Sequence, residues 1–378
     1  MSVRIAGRGW VTPFGSDIGE VWRRLLHADT AQPSEFSDAV GKKNYIAYRV
    51  PSDTLKSLPP HPRLRRASAI SRFAAAAGLA ALQEAKLALD EAAAKRTALV
   101  FAVANGGVIY TKRFYTDIVK SGAGRASPLL FPETVFNAAA SHLAAILGLS
   151  GATYTLVGDG AVGLVAIQMA EDMMADQDLD NCLVVAAEEA DWLLCDAYQK
   201  WRLLRSDPPI RPFDKKNRGT ILSEGAGAIL LSRTGSVQID STSAGSHYSK
   251  RTEAVQLLQQ AMADVKASRA SFIVASANGT FIDEAEASAI ANVSAGLPAY
   301  SPKAAFGDGV AASSLWQLIV ATQILSTGKA PCPQLNLKES QGSDDSAIDL
   351  PECREVAVLS CGMNQQVGAT RLSMPSKT

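Results

Sequence analysis

Short apolar runs alternate along the chain with Ala- and Leu-rich stretches at helical spacing. Residues 97–103 (TALVFAV), 182–187 (CLVVAA), 226–232 (AGAILLS), 272–276 (FIVAS) and 356–361 (VAVLSC) are brief and almost wholly apolar. Such runs predict strands buried on both faces. Residues 68–89 predict a long helix, and 163–176 predict another with Leu164, Ile167 and Met174 on one face. This alternation implies an α/β protein. A polar stretch over 234–250 (from TGSVQID to GSHYSK) divides the chain into an N-terminal half, 1–235, and a C-terminal half, 236–378. A second polar stretch, 338–346 (KESQGSDDS), predicts a surface loop. There is no short-period repeat.

Composition narrows the function without choosing it. The chain has 378 residues, enough for two units with a sizeable interior. Its net charge is zero, so nothing global favours nucleic acid or an anionic membrane surface. One local basic cluster, Arg63, Arg65 and Arg66, could meet an acidic partner but reads first as a solvated face. The five cysteines are scattered, with no CxxC pair, which argues against a disulfide framework and a zinc site. No signal peptide opens the chain, and no run of about 18 apolar residues could span a membrane. A reducing cytoplasm is the expected compartment, and no metal or cofactor is implied.

Gly158-Asp-Gly160-Ala-Val-Gly163 has the spacing of a dinucleotide-binding turn. It follows a strand-like TYTLV, opens a helix, and is followed by Glu188 and Glu189 at the end of the next strand. A nucleotide-binding unit usually begins its domain, however, and here about 150 residues of α/β material come first.

Other segments point elsewhere. The chain carries Gly9-Trp-Val-Thr-Pro-Phe-Gly15, Phe131-Pro132, Asn137-Ala-Ala-Ala-Ser-His142, Arg211-Pro-Phe-Asp214 and Ser223-Glu-Gly-Ala-Gly227. Ala277-Asn-Gly-Thr280, Ser301-Pro-Lys303 and Gly307-Asp-Gly-Val-Ala-Ala312 follow. In this order the segments resemble the landmarks of the β-ketoacyl-ACP synthases. The resemblance implies a thiolase-like αβαβα fold of five layers, built from two pseudo-equivalent halves with a mixed five-stranded sheet in each. It also implies a dimer formed through a strand beside the nucleophile turn, here residues 153–157.

Catalysis in that family needs a cysteine on a strand-to-helix turn, where the helix N-terminus lowers the thiol pKa. Two histidines support the enolate formed on decarboxylation, and a lysine and a glycine-rich C-terminal loop complete the site. This sequence departs at the chemistry. The family's ACxSG turn is Asp159-Gly160-Ala161-Val162-Gly163, so Gly160 stands at the nucleophile. Asn278 and Asp308 stand at the histidines. Asn278 can hydrogen-bond but not titrate, and a carboxylate at 308 would repel an enolate. Lys303 is kept, and the C-terminal loop reads Met363-Asn364-Gln365-Gln366-Val367-Gly368.

Lys303 and Asp308 are expected to form an ion pair filling the former site, and Asp159 to cap the following helix. Glu224 is expected to be structural. Cys361 is the one replacement nucleophile near the C-terminal loop, although a buried cysteine there is usually inert. Ser223 has no histidine near it in sequence. His27, His61, His142 and His247 fall on none of the catalytic positions, and His142, placed before an apolar helix, is expected to pack or cap.

The resemblance therefore implies a catalytically degenerate homologue, acting like a chain-length factor of a type II fatty acid, polyketide or polyene synthase. Its partners would be a cysteine-bearing ketosynthase or a second copy of itself, together with an acyl carrier protein. Chain-length factors commonly carry glutamine where this chain has Gly160. An acyltransferase or hydrolase using Asp308, Lys303 or Cys361 is the alternative enzyme reading.

Overall fold

The first strand, β1 (Val3–Val11), is bare on one face because of Gly7 and Gly9. Helix α1 (Ala69–Glu84) lies on that face so closely that a Cβ at either glycine would stand 2.1 Å from an α1 carbonyl oxygen. Ser68 caps the helix, its hydroxyl accepting the Ser71 N–H. The helix ends short of the expected residue 89 because Lys86 turns left-handed and the Leu87 N–H folds back to Leu82 O. These features come from a computed structural model that describes all residues except 1–2, 39–40, 57, 66, 177, 217, 337–346 and 376–378. The loop expected at 338–346 lies outside the described residues.

Nine further strands join β1 in one sheet. They are β2 (Thr97–Val103), β3 (Thr153–Val157), β4 (Asn181–Glu188), β5 (Gly225–Ser232), β6 (Val237–His247), β7 (Phe272–Val274), β8 (Ala299–Tyr300), β9 (Glu355–Cys361) and β10 (Gln366–Ser373). Their order is β8-β7-β9-β10-β6-β1-β5-β4-β2-β3. From β1 outward the pairings run antiparallel, antiparallel, parallel, parallel, and from β6 outward they repeat that series. The two expected five-stranded halves are thus present, joined edge to edge where Val3 faces Ile239.

Helices sort into layers about this sheet. They include α2 (Val108–Ser121), α3 (Ala138–Leu147), α4 (Val162–Asp176), α5 (Ala254–Asp264), α6 (Phe281–Val293) and α7 (Ala311–Thr327). α1 and α3 cover one outer face, and α5 with α6 the other. α4 and α7 pack together between the two halves, which gives five layers. α7 is buried on every side from Ala311 to Leu325, as a central helix must be. Its Trp316 donates to Ala226 O at 2.8 Å and meets Phe306 edge-on, pinning the helix to β5.

The boundary stretch is largely a strand, and one expected strand is shorter than its apolar run. The polar stretch 234–250 contains β6, which pairs along its length with β10. Its polar side chains find partners, with Asp240 on Arg371 and Ser243 on Asp264. The strand expected over 272–276 stops at Val274, because the N–H and hydroxyl of Ser276 turn to Glu286. Among the described residues no helix is long and apolar enough to cross a membrane.

Candidate functional site

The parallel strands β2, β3 and β4, and β7 with β8, bring their C-terminal ends toward the middle of the molecule. That is where open α/β sheets place their sites. Gly160 lies between β3 and α4, directly under the β9–β10 turn. A Cβ on Gly160 would stand 3.0 Å from Gly362 Cα and 3.6 Å from Cys361 O. Ser360 Oγ donates to Gly160 O at 3.0 Å. Gly160, the expected nucleophile position, is therefore packed against backbone.

Asn278, Lys303 and Asp308 meet beside it. Lys303 Nζ and Asp308 Oδ2 are 2.9 Å apart, with both side chains 2% exposed. Asn278 Nδ2 donates to the same carboxylate oxygen at 2.7 Å. The other oxygen accepts the Val310 N–H and the Ser313 hydroxyl. The carboxylate is thus fully engaged by four donors, as a buried charge requires. Val310 keeps a left-handed φ of 45°, unusual for a β-branched residue, under the hold of that N–H bond. Asn278 Oδ1 accepts from Thr280, and its N–H donates to Asp283. The expected ion pair is present, inside a network that includes Ser313 and Asp283, two residues sequence reasoning missed.

The C-terminal loop is the β9–β10 turn. Met363 is buried, Asn364 and Gln365 reach the surface, and Gln366 opens β10 beneath them. Asp159 does not cap α4. Its Oδ2 instead accepts the N–H groups of Asn364 and Gln365 at 2.8 and 2.9 Å. Asp159 stands where the family's turn has alanine, and nothing local in the sequence points to this distant contact. Tyr198 lies near both Asp159 and Asp308; burial and these two carboxylates raise its hydroxyl pKa.

The other candidates are placed as follows. Cys361 is fully buried, and burial pushes its thiol well above the ordinary 9.0, the opposite of an activated nucleophile. Glu224 accepts the Val50 and Ala190 N–H groups and faces Arg49, a structural role. Ser223 donates to Tyr48 O. His142 sits within α3, not before it, with Nε2 2.6 Å from Glu133 Oε1. Arg63 and Arg65 are exposed, and Arg66 lies outside the described residues.

The glycine spacing serves packing. A Cβ at Gly158 would meet the Gln366 side chain at 2.6 Å, and one at Gly163 the Ser314 hydroxyl at 2.2 Å. Protein fills the space a pyrophosphate would need. Glu188 is buried at the end of β4 and accepts the Ala104 and Asn105 N–H groups.

That burial has a pH consequence. Desolvation pushes the Glu188 carboxyl from the ordinary 4.5 up to about 8, and those of Glu189 and Glu286 to about 7. Between 4.5 and those values the folded chain binds more protons than the unfolded chain. Stability is therefore greatest on the acid side and falls as pH rises through that window. Urea unfolding at about pH 5.5 and about pH 8.5 should show the decline, and Glu188→Gln should flatten its upper end. An unchanged slope in the variant would remove Glu188 from the account.

A cleft of about 740 Å³ opens near the site, with Arg202, Arg218 and Arg251 on its walls and Gly279 and Thr280 at one side. It reaches the residues next to Asn278. Several large apolar side chains are exposed elsewhere: Tyr115 and Val119 on α2, Phe131 and Phe136 after it, and Tyr154 and Val157 on the edge strand β3.

Comparison with known proteins agrees with the fold. The sequence profile described as "Beta-ketoacyl synthase, N-terminal domain" matches residues 1–236, and "Beta-ketoacyl synthase, C-terminal domain" matches residues 231–338. The chain is 27% identical over 236 residues to a 3-oxoacyl-[acyl-carrier-protein] synthase 2 of Vibrio harveyi. It is 27% identical over 235 residues to nodulation protein E of Rhizobium leguminosarum bv. trifolii. Each match spans 61% of this chain and 57% of the relative's length. Among solved structures, the ishigamide ketosynthase/chain length factor superposes with a TM-score of 0.86 at 19% identity, covering 99% of both chains. A β-ketoacyl synthase from Burkholderia phymatum gives 0.85 at 21% identity, again over 99% of both.

Proposed function

Because the chain belongs to the β-ketoacyl synthase family, we propose that it is a non-condensing member, the partner subunit of a cysteine-bearing ketosynthase. The observation that carries this reading is the filled site. Gly160 has no side chain to acylate, and Asn278 and Asp308 offer no titrating imidazole. Lys303 is committed to Asp308. Condensation needs a thiolate nucleophile and donors that support an enolate. This chain keeps the scaffold of such a site and spends its polar groups on one another.

The rest of the molecule suits a partner. The exposed apolar side chains of the edge strand β3, Tyr154 and Val157, offer a surface for a ketosynthase or a second copy of this chain. Arg63, Arg65 and the arginines of the cleft suit the acidic surface and phosphate of an acyl carrier protein. In this reading the subunit shapes the space in which its partner's acyl chain grows, as a chain-length factor does. A related structure, at 19% identity, holds a type II PKS acyl-carrier protein in complex with its ketosynthase.

A second reading, a thiolase-fold acyltransferase or hydrolase, draws on the synthase names of the relatives. Intact-protein mass after co-expression with a ketosynthase and acyl-loaded carrier protein separates the two. The partner reading expects the acyl mass on the ketosynthase only, within a stable complex. An adduct on this chain would overturn it, and Cys361 would be the first position to map.

A further inference from the structure

The turn between β9 and β10 gathers backbone donors around one point. Gly362 N–H closes the turn on Gln366 O at 2.8 Å. Tyr248 braces its far side, the hydroxyl donating to Gly362 O and the N–H donating to Gln365 O. The N–H groups of Asn364, Gln365 and Gln366 then all point to Asp159 Oδ2, at 2.8, 2.9 and 3.5 Å. Consecutive N–H groups on the concave side of a turn form a binding site for an anion. Asp159 N–H returns the contact to Gln366 Oε1 at 2.6 Å. The turn is also cut to the carboxylate, since a Cβ at Gly362 would stand 1.9 Å from Asp159 Oδ2. Asp159 is 3% exposed, and its Oδ1 has no hydrogen-bond partner among the described residues.

We propose that residues 362–366 form a carboxylate-binding site whose resident ligand is the Asp159 side chain. The side chain latches the turn shut over Gly160. Emptied of that side chain, the site takes a free carboxylate the size of formate. The functional consequence rests on the non-condensing reading, whereas the site itself does not.

The test compares amide hydrogen exchange of Asn364 and Gln365 in the full-length chain and in Asp159→Ala. Loss of charge-assisted hydrogen bonds should speed exchange on the order of tenfold to a hundredfold. Formate at about 100 mM should restore protection and raise the melting temperature of Asp159→Ala, leaving the unsubstituted chain unchanged. Chloride at the same ionic strength should do neither. Exchange unaltered by Asp159→Ala, or formate acting equally on both proteins, overturns the proposal. Should the alanine variant fail to fold, Asp159→Asn keeps a neutral acceptor and should exchange at an intermediate rate; exchange as slow as in the unsubstituted chain overturns the proposal there too. Finding an acyl adduct on this chain would end the partner reading and leave these exchange results standing.

Discussion

Lys303→Ala is expected to lower the stability of the folded chain by about 3–5 kcal/mol, as breaking a buried ion pair from one side does. The cost comes less from the lost attraction than from the carboxylate left behind. Asp308 is buried, and without Lys303 it keeps only neutral donors from Asn278, Val310 and Ser313. Water cannot replace the cation, because both side chains are almost fully enclosed. The double variant Lys303→Met/Asp308→Asn should recover most of the loss, since neutral groups of similar volume carry no such desolvation penalty. The measurement is the denaturant midpoint at constant slope for the two variants and the parent. A loss under about 1 kcal/mol for Lys303→Ala would mean that solvent reaches the pair and that the site is more open than the packing implies.

The same network shows what a sequence can and cannot disclose. That Asn278 and Asp308 would lie close together was legible from the order of the segments that carry the resemblance, and the two are hydrogen-bonded. That Lys303 would turn to Asp308 was also legible, because the two lie five residues apart and opposite in charge. Asp159 was not, because its partners lie 205 and 206 residues further along the chain. Nothing local distinguishes an aspartate that caps a helix from one that reaches across to a turn. The strands β2, β4 and β5 were read correctly because burial on both faces leaves an unbroken apolar run. β6 was not read as a strand for the converse reason. Its Gln238, Asp240, Ser241 and Ser243 break any apolar run, and only the neighbours that satisfy them make it a strand.

The second large effect is on association. Among the described residues β3 is the edge of the sheet and pairs only with β2, so its outer edge is open to pairing with another chain. Tyr154 and Val157 on this strand are 43% and 53% exposed. Tyr154→Asp/Val157→Asp should weaken binding to a co-expressed ketosynthase, or self-association, on the order of 100-fold or more. Charge on an edge strand opposes strand addition, and at the centre of an apolar contact it must be desolvated. The fold should hardly notice, with a change within about 1 kcal/mol, because both side chains already meet solvent in the lone chain. Sedimentation analysis beside thermal unfolding separates the two effects. Weakened association with an unchanged melting temperature is the expected pair of results. Unaltered association would place the partner elsewhere and leave β3 a bare edge, whereas a matching fall in melting temperature would show that these residues support the fold itself.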